Sequence, residues 1–142
     1  MAPPRQDSAD FYLNARFSFT DLKNQKYFTG RIIWIENDQQ FSIQILGPLD
    51  IPFAQIKKEN ENFCFIQKNK KSCGIEANKK LKDFNFLLSH DFKNTFKEGE
   101  NKFLKENNIQ TNFIYEEGRL SEIQFKNEKQ WNLRLAIEEM EF

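Results

Sequence analysis

The 142 residues include one histidine, two cysteines, five glycines, four prolines and no valine, and each scarcity removes a class of function. A single histidine, His90, excludes any metal site or proton relay that needs two imidazoles. The cysteines, Cys64 and Cys73, stand in a C-x8-C spacing that matches neither a zinc nor a redox motif. No glycine-rich phosphate loop of the G-x-G-x-x-G or G-x-x-x-x-G-K kind is present. Ser89, immediately beside His90 on the chain, is poorly placed to be a nucleophile activated by it. Glu138, Glu139 and Glu141 form a C-terminal cluster that reads as solvated. No catalytic or metal constellation is left, and the chain is not expected to be an enzyme or to carry a cofactor.

Charge of one sign is also missing. Lys+Arg and Asp+Glu both number 21, for a formal net charge of +0. A nucleic-acid partner would normally require a basic excess, so none is expected. No apolar run approaches the roughly 18 residues of a membrane-spanning helix. One domain of this length buries a sizeable core without a metal or a disulfide framework.

What the sequence has in abundance is Phe, with 16, alongside 15 Asn. Codon bias in an AT-rich genome would explain both without reference to function. The physical consequence is a bulky core of Phe and Ile.

MAPPRQDSAD has two prolines and no apolar stretch, and residues 1–13 read as an N-terminal tether. Met1 fits a cytosolic chain and equally one that begins after a removed targeting segment. From Asn14 the pattern has period two. Ala15, Phe17 and Phe19 alternate with polar residues, and DLKNQ turns the chain into KYFTGRIIWIE. That second strand is apolar on both faces, with Phe28, Ile32 and Trp34 on one and Tyr27, Ile33 and Ile35 on the other. ENDQQ leads to FSIQIL, where Phe41, Ile43 and Ile45 share a face. A Gly47-Pro48 corner then presents Leu49 at its tip, and Pro52 confines the start of IPFAQIK to an edge or a bulge.

NFCFIQ and SCGIE form a further hairpin. A tight turn at Lys68-Asn69 would set Cys64 directly across from Cys73. Two readings stay open there: a cross-strand disulfide in an oxidising compartment, or two small buried hydrophobes. Residues 77–108 lose the alternation, and Leu81, Phe84, Leu88, Phe92 and Phe96 recur at helical intervals, predicting one or two short amphipathic helices with Lys79, Lys80 and Lys82 on the wet side. Strands resume at IQTNFIYE, turn at Glu117-Gly118, return as RLSEIQF and end with QWNLRLAI, where Trp131 and Leu133 share a face. Residues 14–142 therefore predict a single, mainly β domain: six strands, a helical insert at 77–108 and three strands, arranged as an antiparallel meander. A curved sheet of this kind, covered by the helices, either encloses an apolar cavity for a hydrocarbon ligand or has a filled core that the helices complete.

The stretch ARFSF, YFTGRIIW, QFSIQILGPLD and NFCFIQ, followed after the insert by NFIYEEGRLSEIQF and QWNLRL, resembles the LolB family, outer-membrane receptors of the bacterial lipoprotein localisation pathway. The likeness spans most of residues 14–135. It implies an open antiparallel β-barrel, a strongly curved sheet covered by a lid of short helices, as in LolA and LolB. It further implies a cavity for the acyl chains of lipoproteins, lined by Phe17, Phe19, Phe28, Ile32, Trp34, Phe41, Ile43, Phe84, Leu88, Trp131 and Leu133. The partners implied are lipoproteins, a LolA-like periplasmic carrier and the inner leaflet of the outer membrane, for a monomer at the periplasmic face of that membrane, anchored by N-terminal lipidation. In the family, the leucine of the Pro-Leu loop protrudes and is needed for insertion into the membrane; here that is Leu49, on a loop with Gly47 and Pro48. The chain is shorter than family members at both ends and has Met1 where the mature family protein has a lipidated cysteine. The alternative function is a protein-binding β module with a filled core and no lipid ligand.

Overall fold

In a computed structural model, residues 11–59, 61–80, 102–104, 109–128 and 130–141 are described. The chain is mainly β. Its strands are β1 (Phe11–Asp21), β2 (Lys26–Glu36), β3 (Phe41–Leu46), β4 (Pro52–Glu59), β5 (Asn62–Gln67), β6 (Lys70–Cys73), β7 (Lys102–Leu104), β8 (Ile109–Glu116), β9 (Arg119–Asn127) and β10 (Trp131–Glu141). One short helix, α1 (Ile75–Lys80), and a 3-10 turn at Pro48–Asp50 are the helical elements among the described residues.

The ten strands form one sheet in the order β6-β5-β4-β3-β2-β1-β10-β9-β8-β7. Two antiparallel meanders are joined where β10 returns beside β1, with Tyr12 opposite Glu141 and Asp21 opposite Trp131. Strands β6 and β7, consecutive along the chain, occupy opposite edges and do not pair with each other, so the sheet is not closed.

Turn chemistry fixes the register. The Asp21 carboxylate accepts hydrogen bonds from the backbone N–H groups of Lys23 (3.0 Å) and Asn24 (3.1 Å) and from the Asn24 amide (2.8 Å), closing the β1–β2 turn. These bonds, led by that from the Asn24 side chain, hold the Asp21 carboxyl below its ordinary range. Lys68-Asn69 and Glu117-Gly118 each place two successive residues at positive φ, the two-residue hairpin geometry whose twist suits the strands. Pro52 opens β4 at a register shift opposite Ile45 and Leu46, where its missing N–H breaks no ladder.

The register also gathers one apolar face. Leu13 pairs with Trp34 and Met140, Ala15 with Ile32 and Ile137, and Phe19 with Phe28 and Leu133. Trp34 in turn pairs with Ile43, and Ile43 with Ile56. Phe11, Leu13, Ile123, Phe125 and Leu135 are fully buried in this cluster, which Ala77 of α1 joins. The Phe41 and Phe63 rings, from β3 and β5, meet at 5.3 Å across the intervening strand, so the sheet curves toward this face. Gly30 marks another bend: a Cβ there would run into the carbonyl oxygen of Leu46 and lie 2.8 Å from the Phe17 ring.

Two sequence expectations are corrected. The first strand begins at Phe11, not Asn14, so Phe11 and Leu13 belong to the core and not to a tether over 1–13. Residues 77–108 are not wholly a helical insert: α1 starts at Ile75, and Lys102–Leu104 is an edge strand paired with β8, since Phe103 lies opposite Gln110 in the ladder. The α-helical lid, with Phe84 and Leu88, was expected at residues outside those described.

Candidate functional site

The corner between β3 and β4 is built to project a leucine. Gly47 N–H donates to the Ile51 carbonyl (2.7 Å) and Asp50 N–H to the Gly47 carbonyl (3.1 Å), drawing the chain into a loop too tight for right-handed backbone throughout. Leu49 and Asp50 both take left-handed conformations, φ 63° and 58°. Such backbone costs a non-glycine residue about 1–2 kcal/mol, which contacts of the side chain with the rest of the fold could offset. The Leu49 side chain makes no such contact: the residue is 94% exposed. Pro48, Ile51 and Phe53 around it are exposed as well.

What holds the corner is Arg31. Its Nε donates to Asp50 Oδ1 (3.1 Å), and its Nη1 donates to Asn14 Oδ1 (2.8 Å) and lies 3.0 Å from Glu138 Oε1. Glu138 also accepts from Arg16 Nε at 2.9 Å. The hydrogen bond to Glu138 leads in holding the Arg31 guanidinium above its ordinary value, and the same bond leads in lowering the Glu138 carboxyl. With only 17% of its side chain exposed, Arg31 ties β1, β2, β10 and the corner together. A cavity of about 500 Å³ lies alongside, lined by Arg16, Arg31, Arg134, Thr29, Pro48 and Leu49 among others.

The expected lining residues fall on one face of the sheet. Ile32, Trp34, Ile43, Trp131 and Leu133 are buried there, with Trp34 2% exposed and its ring edge-on to those of Phe11 and Phe41. Phe17, Phe19 and Phe41 are half-buried against the same cluster. Phe28 is placed differently: it stacks on Phe19 at the rim and is 49% exposed. Of these residues, Phe17 alone borders the 500 Å³ cavity. Phe84 and Leu88 lie outside the described residues.

A second concavity lies where two strands of the sheet part. Strands β9 and β10 stay paired only as far as Glu122 opposite Ala136; beyond that, β10 continues beside β1 while β9 stays with β8. In the resulting fork lies a cleft of about 1000 Å³ bordered by Leu120, Ile137 and Met140, which pack against the core, and by Glu116, Glu117 and Glu139. Its volume is at the upper end for ligand sites. The Thr111 hydroxyl is buried in the apolar cluster and finds no hydrogen-bond partner among the described residues.

Cys64 and Cys73 are joined by a disulfide, with Cα atoms 4.1 Å apart at directly opposed ladder positions. Glu59 lies close enough to both sulfurs to suggest a three-ligand cluster, but the sulfurs are bonded to each other and offer no thiolate. Three features lie beyond the sequence expectations: the fork between β9 and β10, the role of Arg31, and the exposure of the apolar residues that follow Leu49. The run IPF after GPLD carries a signal for the last, whereas the first two depend on a pairing between strands far apart in sequence. No family model matches the chain, and no curated protein matches it.

Proposed function

We propose that the protein binds the acyl chains of lipoproteins against its curved apolar face and helps deliver them to the bacterial outer membrane, as a LolB-like receptor and insertase. The observation that carries this reading is Leu49, held outward at φ 63° and 94% exposed, at a corner of a sheet with a continuous apolar face. A leucine kept in strained backbone and in water is costly without a lipid phase to enter. The fork between β9 and β10 supplies a lateral way in for a hydrocarbon chain, with Leu120, Ile137 and Met140 on its walls. A disulfide-bonded pair suits an oxidising compartment such as the periplasm. A LolA-like carrier would be the donor of the lipoprotein, and the inner leaflet of the outer membrane its destination.

Replacing Leu49 with glutamate tests the reading. The Leu49→Glu protein should still take lipoprotein from a carrier and should fail to release it into liposomes, because a carboxylate resists entering the acyl region. Normal release by the folded variant would remove the insertion role.

One observation favours a second reading. Ile32, Trp34, Ile43, Trp131 and Leu133 are already buried, as they would be in a protein-binding module with a filled core. Organic extraction of the purified, carrier-loaded protein followed by mass spectrometry separates the two, since a filled core returns no stoichiometric lipid.

A further inference from the structure

The strands of the sheet have two ends, and the turns at those ends differ in charge although the chain as a whole has a formal net charge of +0. The β1–β2, β3–β4, β5–β6 and β9–β10 reversals lie at one end, which includes the Leu49 corner. The β2–β3, β4–β5 and β8–β9 reversals and the finish of β10 lie at the other. Exposed lysines mark the turns at the Leu49 end: Lys23 and Lys26 at β1–β2, Lys68 and Lys70 at β5–β6, and Lys126 at β9–β10. Exposed acids outnumber exposed cations at the opposite end: Asp38 at β2–β3, Glu61 at β4–β5, Glu116 and Glu117 at β8–β9, and Glu139 and Glu141 on β10, against Lys58 at β4–β5 and Arg119 at β8–β9. The acids at the Leu49 end are fewer than its lysines: Asp21, whose carboxyl its turn hydrogen bonds hold below its ordinary range, Asp50, which is paired with Arg31, and Glu128 in the β9–β10 turn.

Of the nine exposed large apolar side chains among the described residues, six fall at the lysine end, while Ile75, Ile114 and Tyr115 lie toward the other. Leu22, Tyr27 and Phe28 flank the β1–β2 turn, and Leu49, Ile51 and Phe53 form the neighbouring corner. Lysines interleaved with aliphatic and aromatic residues are the composition of a surface that meets an anionic bilayer, where the rings settle at headgroup depth and the ammonium groups stay among the phosphates. An acidic protein would satisfy the lysines but would leave six apolar residues without a reason to be exposed at the same end.

We propose that this whole end of the sheet, and not the Leu49 corner alone, is a docking surface for an anionic phospholipid bilayer, with the strands standing end-on and the acidic end directed away from the lipid. The proposal extends the membrane-delivery reading above and rests on its claim that Leu49 faces lipid. It does not require the acyl-binding face to be occupied. Charge then sets the encounter and apolar insertion completes it: the lysines select the lipid, and Leu49 with Tyr27 and Phe28 anchors the bound protein.

Co-sedimentation with vesicles of phosphatidylcholine alone, and of phosphatidylcholine mixed with phosphatidylglycerol, tests this on the unloaded full chain. The protein should bind the mixed vesicles, weaken as salt is raised, and bind the neutral ones far less. Changing Lys23, Lys26, Lys68, Lys70 and Lys126 to glutamine should lower the partition onto mixed vesicles by roughly fivefold per lysine. The matching change of Asp38, Glu61, Glu116 and Glu117 to neutral amides should not weaken it. Circular dichroism and thermal melting confirm that both variants are folded, and single-lysine variants replace any that is not. Equal binding to neutral and mixed vesicles, no binding to either, or an unaffected lysine variant would overturn the proposal. Any of these with intact lipid uptake from a carrier would leave the acyl-binding reading standing, while vesicle binding by a protein that takes up no lipid would separate them the other way.

Discussion

At the scale of the residue, Leu49 sets two costs against each other. Left-handed backbone costs a leucine about 1–2 kcal/mol, and an exposed side chain returns nothing to the fold. Leu49→Ala should therefore change stability by no more than about 0.5 kcal/mol, as at other surface sites. Leu49→Gly should leave it unchanged or raise it by up to about 1 kcal/mol, since relief of the backbone outweighs the roughly 0.4–1 kcal/mol of chain entropy that glycine adds to the unfolded state. Denaturant titration of the three proteins measures both. A loss of about 2–5 kcal/mol for alanine, the cost of deleting a packed leucine, would show that the residue serves the fold. Leu49 lies outside the packing of the fold. That much was legible in the sequence, because Gly47-Pro48 and Asp50 announce a turn and a turn has no interior for a leucine. The pairing of Asp50 with Arg31 was not, since only the β2–β3 register brings them together.

At the scale of the element, the strands with clear period-two alternation were readable because each has one wet face. Phe17 and Phe19 in β1, and Phe41 and Ile43 in β3, follow from that rule. Two-residue turns were readable because their backbone demands particular residues, and Lys68-Asn69 placed Cys64 across from Cys73. The start of β1 was readable but obscured: Phe11 and Leu13 continue the alternation, yet they follow a polar, proline-containing stretch that drew the boundary to Asn14. Strand β7 lacked a signal altogether, because three residues, Lys102–Leu104, are too few to show a period and form a strand only by pairing with β8. The β5–β6 hairpin lies at the outer edge, where β6 pairs only with β5 among the described residues. Closing so short a loop should contribute about 2–3 kcal/mol by restricting the unfolded chain. Oxidised and reduced protein should accordingly unfold at different denaturant midpoints, the reduced form earlier. Superimposable curves would mean that the edge strands unfold before the rest and that the bond does not contribute to global stability.

At the scale of the whole molecule, the sequence led to a mainly β domain with adjacent antiparallel strands, because sequential hairpins admit few other arrangements. It could not supply the join of β1 to β10, which places the two meanders side by side and creates one apolar face from residues more than a hundred positions apart. Nor could it supply the fork beyond Glu122 and Ala136, where β9 and β10 part and a cleft forms beside Leu120, Ile137 and Met140. The central claim is that this face accepts an acyl chain. The most direct measurement is a titration of the folded protein with a fluorescent fatty-acid probe, followed by displacement with a diacylated lipopeptide. The account predicts saturable binding, displacement by the lipopeptide but not by its unacylated form, and weaker binding when Ile137 or Met140 in the fork is replaced by a charged residue. Probe signal that never saturates, or that the lipopeptide leaves unchanged, would contradict the account and leave a filled β core with an exposed leucine corner.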